Sequence, residues 1–134
     1  MRVMIDTNIF ISAVLFPNGK ASAALRKALI PPYKPVTCNY VIDELHRIFR
    51  EKWPDRTTEL DAFLYASLSV IDVVKTPETV VDDEKLIRDE KDRPILRAAL
   101  DAGADLFLTG DKDFLESSVT DPRIISVSDF LMMQ

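Results

Sequence analysis

Short β-rich runs alternate with segments of helical spacing along almost the whole chain, and this alternation restricts the fold more than any single motif. Arg2 to Ile5, Lys34 to Cys38, Val70 to Val74, Asp105 to Leu108 and Arg123 to Val127 are short stretches bounded by turn formers, each suited to a strand. After the first strand, Ile9, Phe10, Ala13 and Val14 recur at helical spacing, Pro17-Asn18-Gly19 interrupts them, and a second helix runs from Ala21 to Leu29 until Pro31-Pro32. From Asn39, read as an N-cap, Val41, Leu45, Ile48 and Phe49 mark an amphipathic helix that Pro54 closes. Thr57 to Ser69 carries Leu60, Phe63, Leu64 and Leu68 and reads as another helix, whereas Thr76 to Lys91 reads as a polar connection dense in charge. Pro94 stands near the start of a helix through Ile95, Leu96, Ala98, Ala99 and Leu100 that Gly103 ends, and Ser126 or Ser128 caps the last short helix.

Strands alternating with helices predict right-handed crossovers and a mainly parallel central sheet of four to five strands, covered by helices on both faces. The expected fold class is therefore α/β, a three-layer α/β/α arrangement. With 134 residues, positions 1–134 suit one domain large enough to bury its own core. No repeat, low-complexity tract or linker divides it.

In such folds a ligand sits beyond the carboxyl ends of the strands. Asp6 follows the first strand directly, and Asp111 follows the fourth within Thr109-Gly110-Asp111. Asp92 stands at the mouth of the helix that begins near Pro94. Glu44 lies three residues after Val41 and four before Ile48, which puts it at the border of a buried helix face, in an early turn close to the sheet. Four acids gathered at one edge would repel one another unless a cation neutralised them, and carboxylate oxygens suit a hard ion such as Mg²⁺ or Mn²⁺. Asp113 is a lesser candidate ligand in the same turn as Asp111. Taken singly, each acid has a plain alternative: Asp92 and Asp111 as helix N-caps, Asp6 as a turn former, Glu44 as a boundary residue. A carboxylate has lone pairs enough to cap a helix and bind an ion together.

Other function classes are excluded by what the chain lacks. No apolar run approaches the roughly 20 residues of a membrane span. Met1-Arg2-Val3-Met4-Ile5 enters the first strand without room for a signal peptide, so the expected location is the cytoplasm. The single cysteine, Cys38, allows neither an internal disulfide nor a zinc-thiolate site, and reads as a small buried side chain. His46 is two residues from Glu44 on a helix, where side chains diverge, so it is not assigned as a general base. The net charge of −5 argues against a broad basic nucleic-acid surface but not against a metal-dependent nuclease that grips its polyanion locally.

Met4-Ile5-Asp6-Thr7-Asn8-Ile9, Val41-Ile42-Asp43-Glu44-Leu45, Lys91-Asp92-Arg93-Pro94-Ile95-Leu96-Arg97-Ala98-Ala99 and Ala104-Asp105-Leu106-Phe107-Leu108-Thr109-Gly110-Asp111-Lys112-Asp113-Phe114, in this order and spacing, resemble the PIN-domain ribonucleases. The similarity is greatest to the subgroup that forms the toxin components of toxin-antitoxin pairs, and it spans nearly the whole chain. The resemblance implies that Asp6, Glu44, Asp92 and Asp111 form the catalytic acidic site, with Asn8 and Thr109 as polar supports. It further implies one or two Mg²⁺ or Mn²⁺ ions acting on a scissile RNA phosphodiester, an antitoxin protein as partner, and self-association into a homodimer. Arg93, Arg97 and Lys112 flank the third and fourth acids and are candidate RNA contacts. Further basic groups lie at Lys20, Arg26 and Lys27, and at Arg47, Arg50, Lys52 and Arg56. Tyr33, Tyr40 and Trp53 are aromatic candidates for stacking, and for all of these the plain alternative is packing or a solvated surface.

Two other readings remain open on sequence. One is a non-catalytic PIN-like module that binds RNA or protein. The other is a Mg²⁺-dependent phosphohydrolase with an aspartyl nucleophile, because Thr109-Gly110-Asp111 resembles a metal-binding turn of the haloacid dehalogenase type. That family requires an acid two residues after its nucleophile, where this chain has Asn8.

Overall fold

A computed structural model describes residues 1–134. Its five strands form one parallel sheet: β1 (Arg2–Ile5), β2 (Lys34–Cys38), β3 (Asp72–Val74), β4 (Leu106–Leu108) and β5 (Arg123–Ile125), in the order β3-β2-β1-β4-β5. Helices α1 (Thr7–Leu15) and α2 (Lys20–Ala28) connect β1 to β2, and α3 (Asn39–Lys52) and α4 (Thr57–Ser67) connect β2 to β3. Two 3₁₀ turns, Asp82–Leu86 and Glu90–Asp92, lead into α5 (Arg93–Asp101) before β4. The short α6 (Lys112–Leu115) joins β4 to β5, and α7 (Val127–Met132) follows. Connections from β1 to β3 run one way across the sheet and those from β3 to β5 run back. Right-handed crossovers therefore put α1 to α4 on one face and α5 and α6 on the other. This is the α/β class expected from the alternation.

The strands form where they do because both faces are covered. Val3, Met4 and Ile5 of β1 and Phe107 and Leu108 of β4 are fully buried, so these runs read as continuously apolar, as parallel strands do. On α3 the buried positions are Val41, Leu45 and Phe49, three of the four its spacing predicts, while Ile48 is half-buried. Cys38 is a free, buried thiol. Gly103 ends α5 with a φ of 66°, the left-handed conformation that suits glycine after a helix.

Several boundaries differ from the sequence reading, each for a local reason. β3 begins at Asp72, because Val70 and Ile71 still donate backbone hydrogen bonds to Ser67 in the turn that ends α4. β5 stops at Ile125, because Ser126 turns the chain and caps α7 by accepting from the Asp129 amide. Asn39 is the first residue of α3 and not its N-cap; its side-chain Oδ1 instead accepts from the amide and hydroxyl of Thr76, tying the helix start to the segment after β3. The polar connection after Thr76 is folded, with Ile87 buried and Glu84 buried in a bidentate pair with Arg97. At the C-terminal end Phe130 is buried against Tyr33, and Lys27 donates to the carbonyls of Phe130 and Met133. Lys27 and Tyr33 are thus committed to internal packing, as is Trp53 against Phe49.

Candidate active site

The direction of the crossovers reverses between β1 and β4, the two strands whose pairing sets Ile5 beside Leu108. At such a switch point the following loops part and leave a crevice. Asp6 and Thr109, the next residue of each strand, meet there. The Thr109 hydroxyl donates to Asp6 Oδ2 at 2.7 Å, and the Thr7 amide donates to Asp6 Oδ1 at 2.7 Å. Asp6 is therefore both the N-cap of α1 and an acid at the sheet edge. Asn8 bridges the same two loops: its amide nitrogen donates to Asp6 and Thr109, and its carbonyl oxygen accepts from the Gly110 amide at 3.0 Å.

Glu44 arrives from α3 and Asp92 from the mouth of α5. Together with Asp6, Asn8 and Asp111 they line a cleft of about 190 Å³ whose remaining walls are Thr7, Ile11 and Ile48. The Thr7 hydroxyl donates to Glu44 Oε1 at 2.5 Å, and Arg47 lies 3.8 Å from the other Glu44 oxygen. Asp111 accepts from the Asp113 amide and so caps α6, while its own amide donates to the Thr109 hydroxyl. Asp92 begins α5 but makes no side-chain cap bond, which removes capping as the explanation for that carboxylate. The structure thus brings all four expected acids and Asn8 into one cleft, with Thr109 buried behind Asp6.

Burial and mutual repulsion govern the electrostatics. Asp6 is only 3% exposed, and burial pushes its pKa up to about 7 against the lowering effect of the Thr109 and Thr7 hydrogen bonds, with Asp111 and Glu44 adding repulsion. Burial, then the charge and hydrogen bonding of Asp111, push Asp92 up to about 8, helped by Asp6 and Asp89. Near neutrality the cleft must therefore hold protons or a cation in place of its full negative charge. Every donor atom facing it is a carboxylate, amide or hydroxyl oxygen, with no thiolate or imidazole among them, so the site fits a hard divalent ion. Asp6, Glu44, Asp92 and Asp111 are the residues that would hold it.

Asp113 stands apart from that cleft. Its carboxylate is bound by Arg88 and forms a second acidic group with Asp89 and Asp92, their oxygens within 4.8 Å of one another. Asp89 escaped the sequence reading, although its position three residues before Asp92 is the spacing that shares a helical face. Thr7 escaped it too, because a threonine after a strand reads as a turn former until its hydroxyl is seen on Glu44. Arg97 is a correction: Glu84 and the Pro77 carbonyl occupy its guanidinium, so it is not free for RNA. Arg93 likewise donates to the Ile87 carbonyl and lies 3.8 Å from Glu90. Lys112 is exposed and remains available. His46 Nδ1 donates to the Ile42 carbonyl, and the ring faces Asp61, away from the four acids of the cleft. A larger cleft, about 710 Å³ and lined by Ile42, Leu64 and Leu68 between α3 and α4, contains none of the four acids.

The family model described as PIN domain matches residues 2–113, most of the chain. The chain belongs to the PIN-domain family. PIN domains are generally nucleases. Among solved structures, a chain of the crystal structure of VapBC2 from Rickettsia felis bound to a DNA fragment from their promoter superposes with a TM-score of 0.70 at 17% identity. The match covers 94% of this PIN domain and 98% of that chain, so the two share their fold across nearly their whole lengths. A comparison with curated protein sequences finds no match. No helix of this PIN domain is long and apolar enough to cross a membrane.

Proposed function

We propose that the protein is a metal-dependent endoribonuclease that hydrolyses RNA phosphodiester bonds at the cleft formed by Asp6, Glu44, Asp92 and Asp111, with Mg²⁺ or Mn²⁺ as cofactor. The observation that carries this reading is the convergence of four carboxylates from four separate segments on the switch point of a PIN-domain sheet. A bound divalent ion supplies Lewis-acid polarisation of a phosphate and a lowered pKa for attacking water. The protein's own part is to hold the acids in place. Thr109, Thr7 and Asn8 engage both oxygens of buried Asp6, which suits a fixed ligand and not an attacking nucleophile. This disfavours the aspartyl-nucleophile phosphohydrolase. Thr7 fixes one oxygen of Glu44 and leaves the other directed to the cleft or to Arg47.

The proposal extends to biological role: the protein acts as the toxin of a toxin-antitoxin pair, restrained by a cognate antitoxin. Support comes from the motif resemblance and from a fold shared with a chain of the VapBC2 assembly.

The test is to incubate the purified protein with labelled single-stranded and structured RNAs in Mn²⁺ or Mg²⁺, with EDTA and Asp6→Asn as matched controls. Metal-dependent cleavage that the variant loses is the expected result. RNA binding without cleavage by either protein would turn the assignment to a non-catalytic module. Hydrolysis of small phosphate esters without RNA cleavage would restore the phosphohydrolase.

A further inference from the structure

Most cations near the acids are already engaged. Arg97 is spent on Glu84, Arg93 on the Ile87 carbonyl, and Arg88 on Asp113. Arg50 differs: it is exposed and engages no carboxylate. It lines a second cleft of about 310 Å³ with Tyr40, Asp43, Glu44 and Arg47. Glu44 also lines the acid cleft, so the two depressions share a wall.

All five residues lie on α3, at spacings of three, four and seven that gather them on one face. At roughly 1.5 Å of rise per residue, Arg50 stands about 9 Å along the axis from Glu44. Tyr40 occupies the other end of the cleft, its hydroxyl donating at 2.5 Å to the carbonyl of Lys91, the residue before Asp92. The ring is thus held between α3 and the segment that carries a site acid. Arg47 leans on Glu44 and Glu51 and offers less free charge than Arg50.

An aromatic ring, an uncommitted guanidinium and a carboxylate acceptor are the three elements that recognise one nucleotide: stacking, phosphate pairing and acceptance from a base N–H edge. The volume is near the lower end for a small-ligand pocket, roughly 300 Å³, which suits one such unit. A folded protein partner would need about 1,000 Å² of contact, more than this cleft presents. We propose that the cleft binds the nucleotide adjoining the scissile phosphate of a single-stranded RNA, with its base stacked on Tyr40 and its phosphate paired with Arg50. Asp43 then accepts from the donor edge of the base. The assignment rests on the ribonuclease reading above.

The experiment measures binding of a fluorescent single-stranded oligoribonucleotide to the full chain in an Asp6→Asn background over a salt series, beside cleavage by the same variants with Asp6 intact. Arg50→Ala should weaken binding several-fold and flatten the slope of log Kd against log salt by about 0.7, one phosphate contact on a single strand. Arg56→Ala, whose guanidinium is held by Glu59, should leave that slope unchanged and controls for bulk charge. Tyr40→Leu should weaken binding roughly 5- to 150-fold, the range of one stacked base, while Tyr40→Phe keeps the affinity. Cleavage that persists with an unaltered slope in Arg50→Ala overturns the subsite alone. A Tyr40→Phe protein as weak as Tyr40→Leu overturns the stacking role in favour of the bond to Lys91. A parent chain that neither binds nor cleaves any oligoribonucleotide overturns the subsite together with the ribonuclease.

Discussion

Thr7 shows how much of the candidate site depends on a side chain that is not itself an acid. Its amide holds Asp6 and its hydroxyl holds Glu44, so one residue sets the distance between an acid on the sheet and an acid on α3. Thr7→Val keeps the shape and the amide but removes the hydroxyl. Groups that orient metal ligands typically change affinity or activity by about 10- to 100-fold when removed, and a Mn²⁺ titration of cleavage by Thr7→Val should show a loss of that order. Asp6 carries a second consequence. Its folded pKa lies near 7 and its unfolded value near that of an ordinary aspartate, so between these limits the folded protein binds more protons than the unfolded one. Stability of the metal-free protein should therefore fall as pH rises from about 4 through 7, with Asp92 extending the fall to about 8. Asp6→Asn should flatten this profile, measured as melting temperature against pH in EDTA. An unchanged profile in the variant would mean that Asp6 does not carry the effect.

The segment between β3 and α5 positions Asp89 and Asp92, and it is anchored by one buried ion pair. Glu84 is 2% exposed, caps the turn by accepting from the Val81 amide, and meets two guanidinium nitrogens of Arg97 on α5. The Arg97 guanidinium holds Glu84 below the usual carboxylate range. Removing one partner of a buried pair strands the other charge, at a cost on the order of 3 kcal/mol. Arg97→Ala should show that loss in urea denaturation and faster amide exchange across residues 82–92. Exchange as slow as in the parent would mean that Ile87 alone holds the segment. A similar logic applies to α6, where Phe114 packs on Phe107 of β4 with ring centroids 4.4 Å apart and keeps the turn bearing Asp111 against the sheet.

For the molecule as a whole, carboxylates gathered in one cleft cost stability in the absence of a cation. A divalent ion that binds the folded state alone stabilises it by about 2.7 kcal/mol at one hundred times its Kd. That corresponds to a rise of several degrees in melting temperature for a chain of this length. Mn²⁺ should therefore raise the melting temperature, more at pH 8 than at pH 6 because the ion displaces protons from Asp6 and Asp92. Asp6→Asn should reduce the rise. Equal shifts in parent and variant at both pH values would locate the ion outside this cleft.

The layer order and the direction of every strand follow from local patterning, because a short apolar run buried on both faces and an amphipathic stripe each require the other as cover. Asp6 and Asp111 were legible for the same reason: the residue after β1 and the turn after β4 are placed by the sheet. Glu44 and Asp92 were legible from their motifs and from the helix positions they occupy. Which groups would neutralise or hold those acids was not legible, since it depends on residues far apart in sequence. Thr7 reaches Glu44 across 37 positions, Arg88 reaches Asp113 across 25, and Thr109 reaches Asp6 across 103. Arg97 stands in a basic stretch beside a site acid, and only the folded connection after β3 supplies the Glu84 that claims it. Periodicity and turn chemistry act within a few residues and so determine elements and their order. Hydrogen bonds and ion pairs act in space, and only the tertiary structure decides which donor meets which acid.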